Sequence, residues 1–130
     1  MSRERTEVGK LKEGRFIIIY GEPCRIVGFS TFVPGKQEHE SAEINAIGLF
    51  DAQRRILVRP TSAKIEVPII KRGNAQVLAI VSNNAQLMDL TTYETFELPI
   101  HINLRGDVRE GVEVEYVQAL GRRKIKRVKD

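Results

Sequence analysis

The amino-acid sequence predicts an all-β protein, built as small barrels or as a sandwich, and three observations carry that prediction. Short apolar runs rich in isoleucine and valine recur along the chain, each bounded by turn residues. Several of these runs alternate apolar and polar residues with a period of two, the pattern of a strand with one buried face. No window sustains the apolar spacing of an amphipathic helix.

The elements follow in order. Phe16-Ile17-Ile18-Ile19-Tyr20 is a continuous apolar run, Gly21-Glu22-Pro23 a turn, and Cys24-Arg25-Ile26-Val27-Gly28-Phe29 the returning strand of a hairpin. Ala46-Ile47-Gly48-Leu49-Phe50 and Arg55-Ile56-Leu57-Val58-Arg59 form a second pair, turned at Asp51-Ala52-Gln53-Arg54. Ile65-Glu66-Val67 alternates before Pro68, which has no N–H for a ladder and marks a sheet exit. Beyond it, Ala75–Val81 and Ala85–Leu90 flank the turn Ser82-Asn83-Asn84. Tyr93–Leu98, Val112–Val117 and Lys124–Val128 supply the remaining strands, and 98–111 is a long loop or holds a short helical turn. A boundary near Val67–Lys71 divides the chain into 1–69 and 70–130. Two domains of about 65 residues are small but feasible.

The 130 residues are 42% apolar and 29% charged, the balance of a folded chain rather than a disordered one. With no tryptophan and 6% aromatics, the core rests on Ile, Val and Leu. No run reaches the roughly 18 apolar residues of a transmembrane helix, and the charged start lacks a signal-peptide core. Cys24 is the single cysteine, which excludes an internal disulfide and a cysteine zinc cluster and suits a reducing cytoplasm. It sits in an apolar strand as a small core residue.

Charge is unevenly placed. Residues 1–69 carry 11 basic and 9 acidic side chains, residues 70–120 carry 4 and 7, and the last ten carry 6 and 1. A basic end on a balanced chain points to a polyanion or to a solvated strand. Arg54, Arg55, Arg122, Arg123, Lys124 and Lys126 are the candidate phosphate contacts. On a strand, Lys124 and Lys126 share one face and Ile125 takes the core face. No Ser–His–Asp order, Gly-rich phosphate loop or paired-acid motif occurs, so no enzyme and no cofactor site is expected. His39 among Glu38, Glu40 and Glu43 is an exposed polar loop rather than a metal site, and His101 is a surface residue.

The longest gap between strands in the first half is 30–42. Pro34-Gly35 is a turn signal and sets Lys36 at the loop tip. By residue type alone Lys36 is an ordinary exposed lysine, although loops raised on rigid barrels are common seats of function.

Five segments change that weighting: Gly21-Glu22-Pro23-Cys24-Arg25-Ile26-Val27, Ala46-Ile47-Gly48-Leu49-Phe50-Asp51, Val67-Pro68-Ile69-Ile70, Gln86-Leu87-Met88-Asp89-Leu90 with Thr92-Tyr93-Glu94-Thr95-Phe96-Glu97, and Gly121-Arg122-Arg123-Lys124-Ile125. In this order and spacing, from about Val8 to Val128, the chain resembles the archaeal translation initiation factor 5A family, related to bacterial elongation factor P. The resemblance implies an SH3-like barrel followed by an OB-fold. It implies a cytoplasmic factor that binds the ribosome beside the exit site and promotes peptide bond formation at stalled sites such as proline runs. It also implies that Lys36, after Gly35, takes a spermidine-derived aminobutyl group as deoxyhypusine or hypusine from deoxyhypusine synthase and reaches towards the peptidyl-tRNA. Thr31, Pro34, Gly35, Gln37 and His39 would present it.

The loop departs from the family pattern. Where relatives continue with His-Gly, this chain has Gln37-Glu38, Ser41 stands in place of a second lysine, and Val33 in place of a preceding one. Glu38, Glu40 and Glu43 repel phosphate. The alternative is a diverged, unmodified paralogue acting as a general RNA-binding or ribosome-associated protein.

Overall fold

A computed structural model describes residues 3–36 and 39–129. The chain divides into two compact units, Met1–Ile69 and Ile70–Asp130. Apart from two short 3-10 turns, the regular structure among the described residues is β-strand.

The first unit runs β1 (Arg3–Glu7), the 3-10 turn η1 (Val8–Lys10), β2 (Phe16–Ile19), β3 (Glu22–Phe32), β4 (Ser41–Gly48), β5 (Arg54–Pro60) and β6 (Lys64–Pro68). An antiparallel sheet orders β2-β3-β4-β5, and β1 pairs with β6. Ile17, Ile19, Cys24, Ile26, Ala42, Ile44, Ala46 and Leu57 meet Val8 and Leu11 in one core. Alternation produces this face: Ala42, Ile44 and Ala46 are fully buried, while Glu43 between them is exposed.

The first hairpin turns one residue earlier than the sequence predicts. Tyr20 and Gly21 both have positive φ, 48° and 82°, which is the two-residue turn whose twist matches antiparallel strands. Glu22 and Pro23 therefore already belong to β3. Val27 is an extra residue between the pairs Ile26↔Ala46 and Gly28↔Asn45, a bulge that bends the long β3.

The second unit runs β7 (Lys71–Val81), β8 (Asn84–Asp89), β9 (Thr95–Pro99), η2 (Ile102–Leu104), β10 (Glu113–Ala119) and β11 (Arg122–Lys129), with sheet order β11-β10-β7-β8-β9. Its core gathers Ala75, Val77, Ala85, Leu87, Leu98, Ile100, Val108, Val114, Tyr116 and Ile125. The uncertain 98–111 stretch holds η2, whose first turn His101 caps by accepting from the Asn103 N–H at 3.2 Å. The strand expected from Tyr93 begins only at Thr95, because Asp89 holds Thr91, Thr92 and Tyr93 in a turn. In β11, Ile125 is buried as expected, but Lys126 is the extra residue of a bulge between Glu115↔Arg127 and Tyr116↔Ile125. That bulge resets the alternation, so Val128 also packs against the core.

Candidate functional site

The lysine loop is built on the two longest neighbouring strands of the first unit. β3 and β4 stay paired to Thr31↔Ala42 and Phe32↔Ser41, so the loop is 33–40. It is shorter than the 30–42 expected from sequence. Thr31 and Ser41 are strand residues at its root, because the ladder continues to the last residues able to pair. Gly35 has φ +54°, the left-handed value that a glycine after proline adopts without a Cβ penalty. A Cβ there would meet nothing within 4 Å, so Gly35 is required by conformation and not by space. Lys36 follows it and is exposed, as is His39. Gln37 and Glu38 lie outside the described residues.

A relay of backbone contacts holds the far end of the loop. The Glu40 carbonyl accepts from the Thr61 N–H at 3.0 Å and from the Thr61 hydroxyl at 3.2 Å. The Thr61 carbonyl accepts from the Gly9 N–H at 2.9 Å, and Ala63 accepts from Val8 at 2.9 Å. A Cβ on Gly9 would lie 3.2 Å from the Thr61 oxygen and 3.3 Å from its Cβ. Glycine thus lets η1 press on the β5–β6 turn, and that turn grips the loop. Sequence reasoning missed Thr61 and Gly9; neither carries a motif, and their role exists only through contacts 21 and 52 residues away in sequence.

The six candidate phosphate contacts divide between the units, Arg54 and Arg55 in the first and Arg122, Arg123, Lys124 and Lys126 in the second. Arg54 opens β5 rather than closing the turn before it, and Arg55 follows it on the strand. Arg54 is exposed. Arg55 is engaged by Asp51 at 2.7 and 3.1 Å, a two-pronged pair that also takes the Gln53 N–H at 3.0 Å. The Arg55 hydrogen bond, then the Gln53 amide, hold the Asp51 carboxyl down at about 2. Gly48 leaves room for this clasp, since a Cβ there would sit 1.9 Å from Asp51 Oδ1. Cys24 is fully buried, and that burial raises its thiol above the ordinary range.

Arg123 is committed too. It donates to Glu94 at 2.7 Å and to Gln118 at 3.2 Å, and lies 4.4 Å over the Phe96 ring. Phe96 meets Tyr116 edge-on at 5.1 Å. The Tyr116 hydroxyl donates to Asp89 Oδ2, while Asp89 Oδ1 accepts from Thr91 at 2.8 Å and Thr92 at 2.9 Å. The hydrogen bond from Tyr116 lowers the Asp89 carboxyl, and burial first, then Asp89, pushes Tyr116 up to about 12. Gly73 makes space, because a Cβ on it would fall 2.5 Å from the Tyr116 ring. Lys126 faces Glu115 at 3.7 Å, and Arg127 faces the same carboxylate at 3.5 Å. Arg122 is exposed and Lys124 half-buried. Much of the positive charge of β11 is thus met within its own sheet, and the network around Asp89 is structural.

Among the described residues no cluster of three or more His, Cys, Asp or Glu could hold a metal, and no helix is long and apolar enough to cross a membrane.

Two small β-units in series, the first raising an exposed lysine on a glycine turn, have the architecture of an SH3-like barrel followed by an OB-fold. Residues 3–63 match the family "Translation initiation factor 5A-like, N-terminal", and residues 69–129 match "Eukaryotic elongation factor 5A hypusine, DNA-binding OB fold". The chain therefore belongs to the translation initiation factor 5A family. It is 49% identical over 129 residues to translation initiation factor 5A of Methanothermobacter thermautotrophicus, with 99% of each chain covered. It is 48% identical over 131 residues to that of Pyrococcus horikoshii, covering 98% of this chain and 95% of the other. The solved structure of eukaryotic translation initiation factor 5A from Methanococcus jannaschii superposes with a TM-score of 0.89 at 46% identity, covering 98% and 96%. Members of the family are translation factors rather than enzymes, and carry a hypusine lysine in place of any cofactor.

Proposed function

We propose that this chain acts on the ribosome, where Lys36, bearing the spermidine-derived aminobutyl group of deoxyhypusine or hypusine, orders the acceptor end of peptidyl-tRNA at stalled sites. The exposed Lys36 on its glycine turn carries the reading. A lengthened lysine adds reach and a second amine, so a cation can enter a phosphate-walled channel that excludes the barrel itself. Its contribution is positioning: bringing reacting groups together converts lost freedom into rate without a catalytic group on the protein. The anchored root supports this role, because a tip on a loose stem would surrender that entropy. Deoxyhypusine synthase is the modifying partner, the ribosome and peptidyl-tRNA are the sites of action, and the compartment is the cytoplasm.

The test is peptide mass spectrometry of the protein from its native host, with ribosome profiling of a Lys36→Arg strain. The adduct on Lys36 and new pauses at proline runs in the variant are the expected results. Native protein without the adduct overturns the modified-arm mechanism, and profiles without new pauses overturn the stall-relief role.

A further inference from the structure

The two arms of the lysine loop are held unequally. On the rising arm the ladder ends at Phe32↔Ser41, and among the described residues no backbone bond ties Val33 or Pro34 to the barrel. On the descending arm the hold continues past the sheet. Ser41 pairs with Pro60, and one step beyond that pair the Glu40 carbonyl takes both donors of Thr61, its N–H and its hydroxyl. Thr61 is itself fixed from behind. Its carbonyl accepts from Gly9, and the neighbouring Val8, fully buried in the core, donates to Ala63. A short path of backbone bonds thus runs from the core of the first unit to Glu40, on the far side of Lys36.

The rising arm is stiffened by its own geometry, since the Pro34 ring fixes one φ and Gly35 holds +54°. Contact with the barrel comes only on the descending arm, and Thr61 makes it. We propose that Thr61 is a positioning residue: through Glu40 it aims Lys36, so that the modified side chain meets its target already oriented. The inference rests on Lys36 acting from the loop tip. Freedom removed in the free protein is not lost again when the tip reaches its target, so orientation acts on rate. A residue that orients the tip without touching the target changes the rate at saturation and not the concentration needed to saturate. Ser62, the next residue of the same turn, is exposed, and its hydroxyl has no partner among the described residues. The turn thus carries two neighbouring hydroxyls, of which one is joined to the loop.

The experiment is proline–proline bond formation on stalled archaeal ribosomes, titrated with the full-length protein. Each variant is first loaded by label transfer to Lys36 from radiolabelled spermidine with purified deoxyhypusine synthase. Thr61→Val deletes the hydroxyl and keeps the side chain's shape and the backbone N–H. The expected result is a maximal rate about fivefold lower, the equivalent of one neutral hydrogen bond, at an unchanged half-saturating concentration. Thr61→Ser keeps the hydroxyl and should retain the wild-type rate. Ser62→Ala deletes the neighbouring hydroxyl and should change neither quantity. Gly9→Ala crowds Thr61 from behind and should lower the maximal rate in the same sense, which guards against a folding defect peculiar to Thr61→Val. Thr61→Val at the wild-type maximal rate, an equal fall in Ser62→Ala, or a fall that Thr61→Ser shares overturns the inference while the action of Lys36 stands. So does a higher half-saturating concentration at an unchanged maximal rate, which makes Thr61 a ribosome contact. Loaded wild-type protein that does not speed bond formation overturns both.

Discussion

Tyr116→Phe isolates a single hydrogen bond in the second unit. The ring keeps its place over Gly73 and against Phe96, and only the hydroxyl donating to Asp89 is lost. Asp89 is 5% exposed and keeps the Thr91 and Thr92 amides, so the substitution leaves one oxygen of a buried carboxylate without its donor. A hydrogen bond to a charged group contributes about 1.5–3 kcal/mol, so the expected loss at pH 7 is about 2 kcal/mol. With a urea slope of about 1 kcal/mol per molar for so small a unit, the midpoint falls by about 2 M. The pH dependence has a definite sign. Asp89 is depressed in the folded protein, so its contribution is present above the ordinary carboxylate range and fades as acid protonates it. The gap between wild type and variant should therefore narrow from pH 7 towards pH 2. At the alkaline end, Tyr116 is raised from 10.0 to about 12, so wild type should lose stability across that interval through a step the variant lacks. Urea unfolding followed by circular dichroism, with hydrogen exchange in β8 and β10 to separate this unit from the first, measures all three. An undiminished gap at low pH, or no loss at pH 7, would refute the charge-assisted account.

Gly9→Ala crowds the Thr61 backbone and should cost about 1–3 kcal/mol, with faster amide exchange at Thr61 than in wild type as the readout. Gly35→Ala meets no neighbour but must hold φ near +54°; it should cost about 1 kcal/mol, leave the fold's circular dichroism unchanged and slow label transfer to Lys36. Asp51→Asn removes a carboxyl held at about 2, so the melting temperature of wild type should exceed that of the variant at pH 7, and the difference should vanish as pH falls from the ordinary carboxylate value to 2.

Much of this protein was legible along the chain because its information is local. Period-two alternation in Val112–Tyr116 marks which side chains turn inwards, and that needs no partner strand to be known, whereas β4 begins at Ser41 rather than at the expected Ala46. Pro34-Gly35 marks the turn beneath Lys36 for the same reason, since both preferences belong to the residues themselves. The sequence by itself thus determined the all-β class, the alternation that gives strands one buried face, and the exposed lysine on its turn. Tertiary structure alone decided the rest. The first hairpin turns at Tyr20-Gly21 because the twist of paired strands selects two positive φ values. The bulge at Lys126 arises where β10 and β11 must bring both Ile125 and Val128 inwards. Arg55, Arg123 and Lys126 met carboxylates that only folding brings near, so their charge is compensated within the fold. The grip of Thr61 on Glu40 and the bond from Tyr116 to Asp89 join residues 21 and 27 positions apart. Such contacts depend on where strands are placed in space, and no pattern within a single strand encodes them.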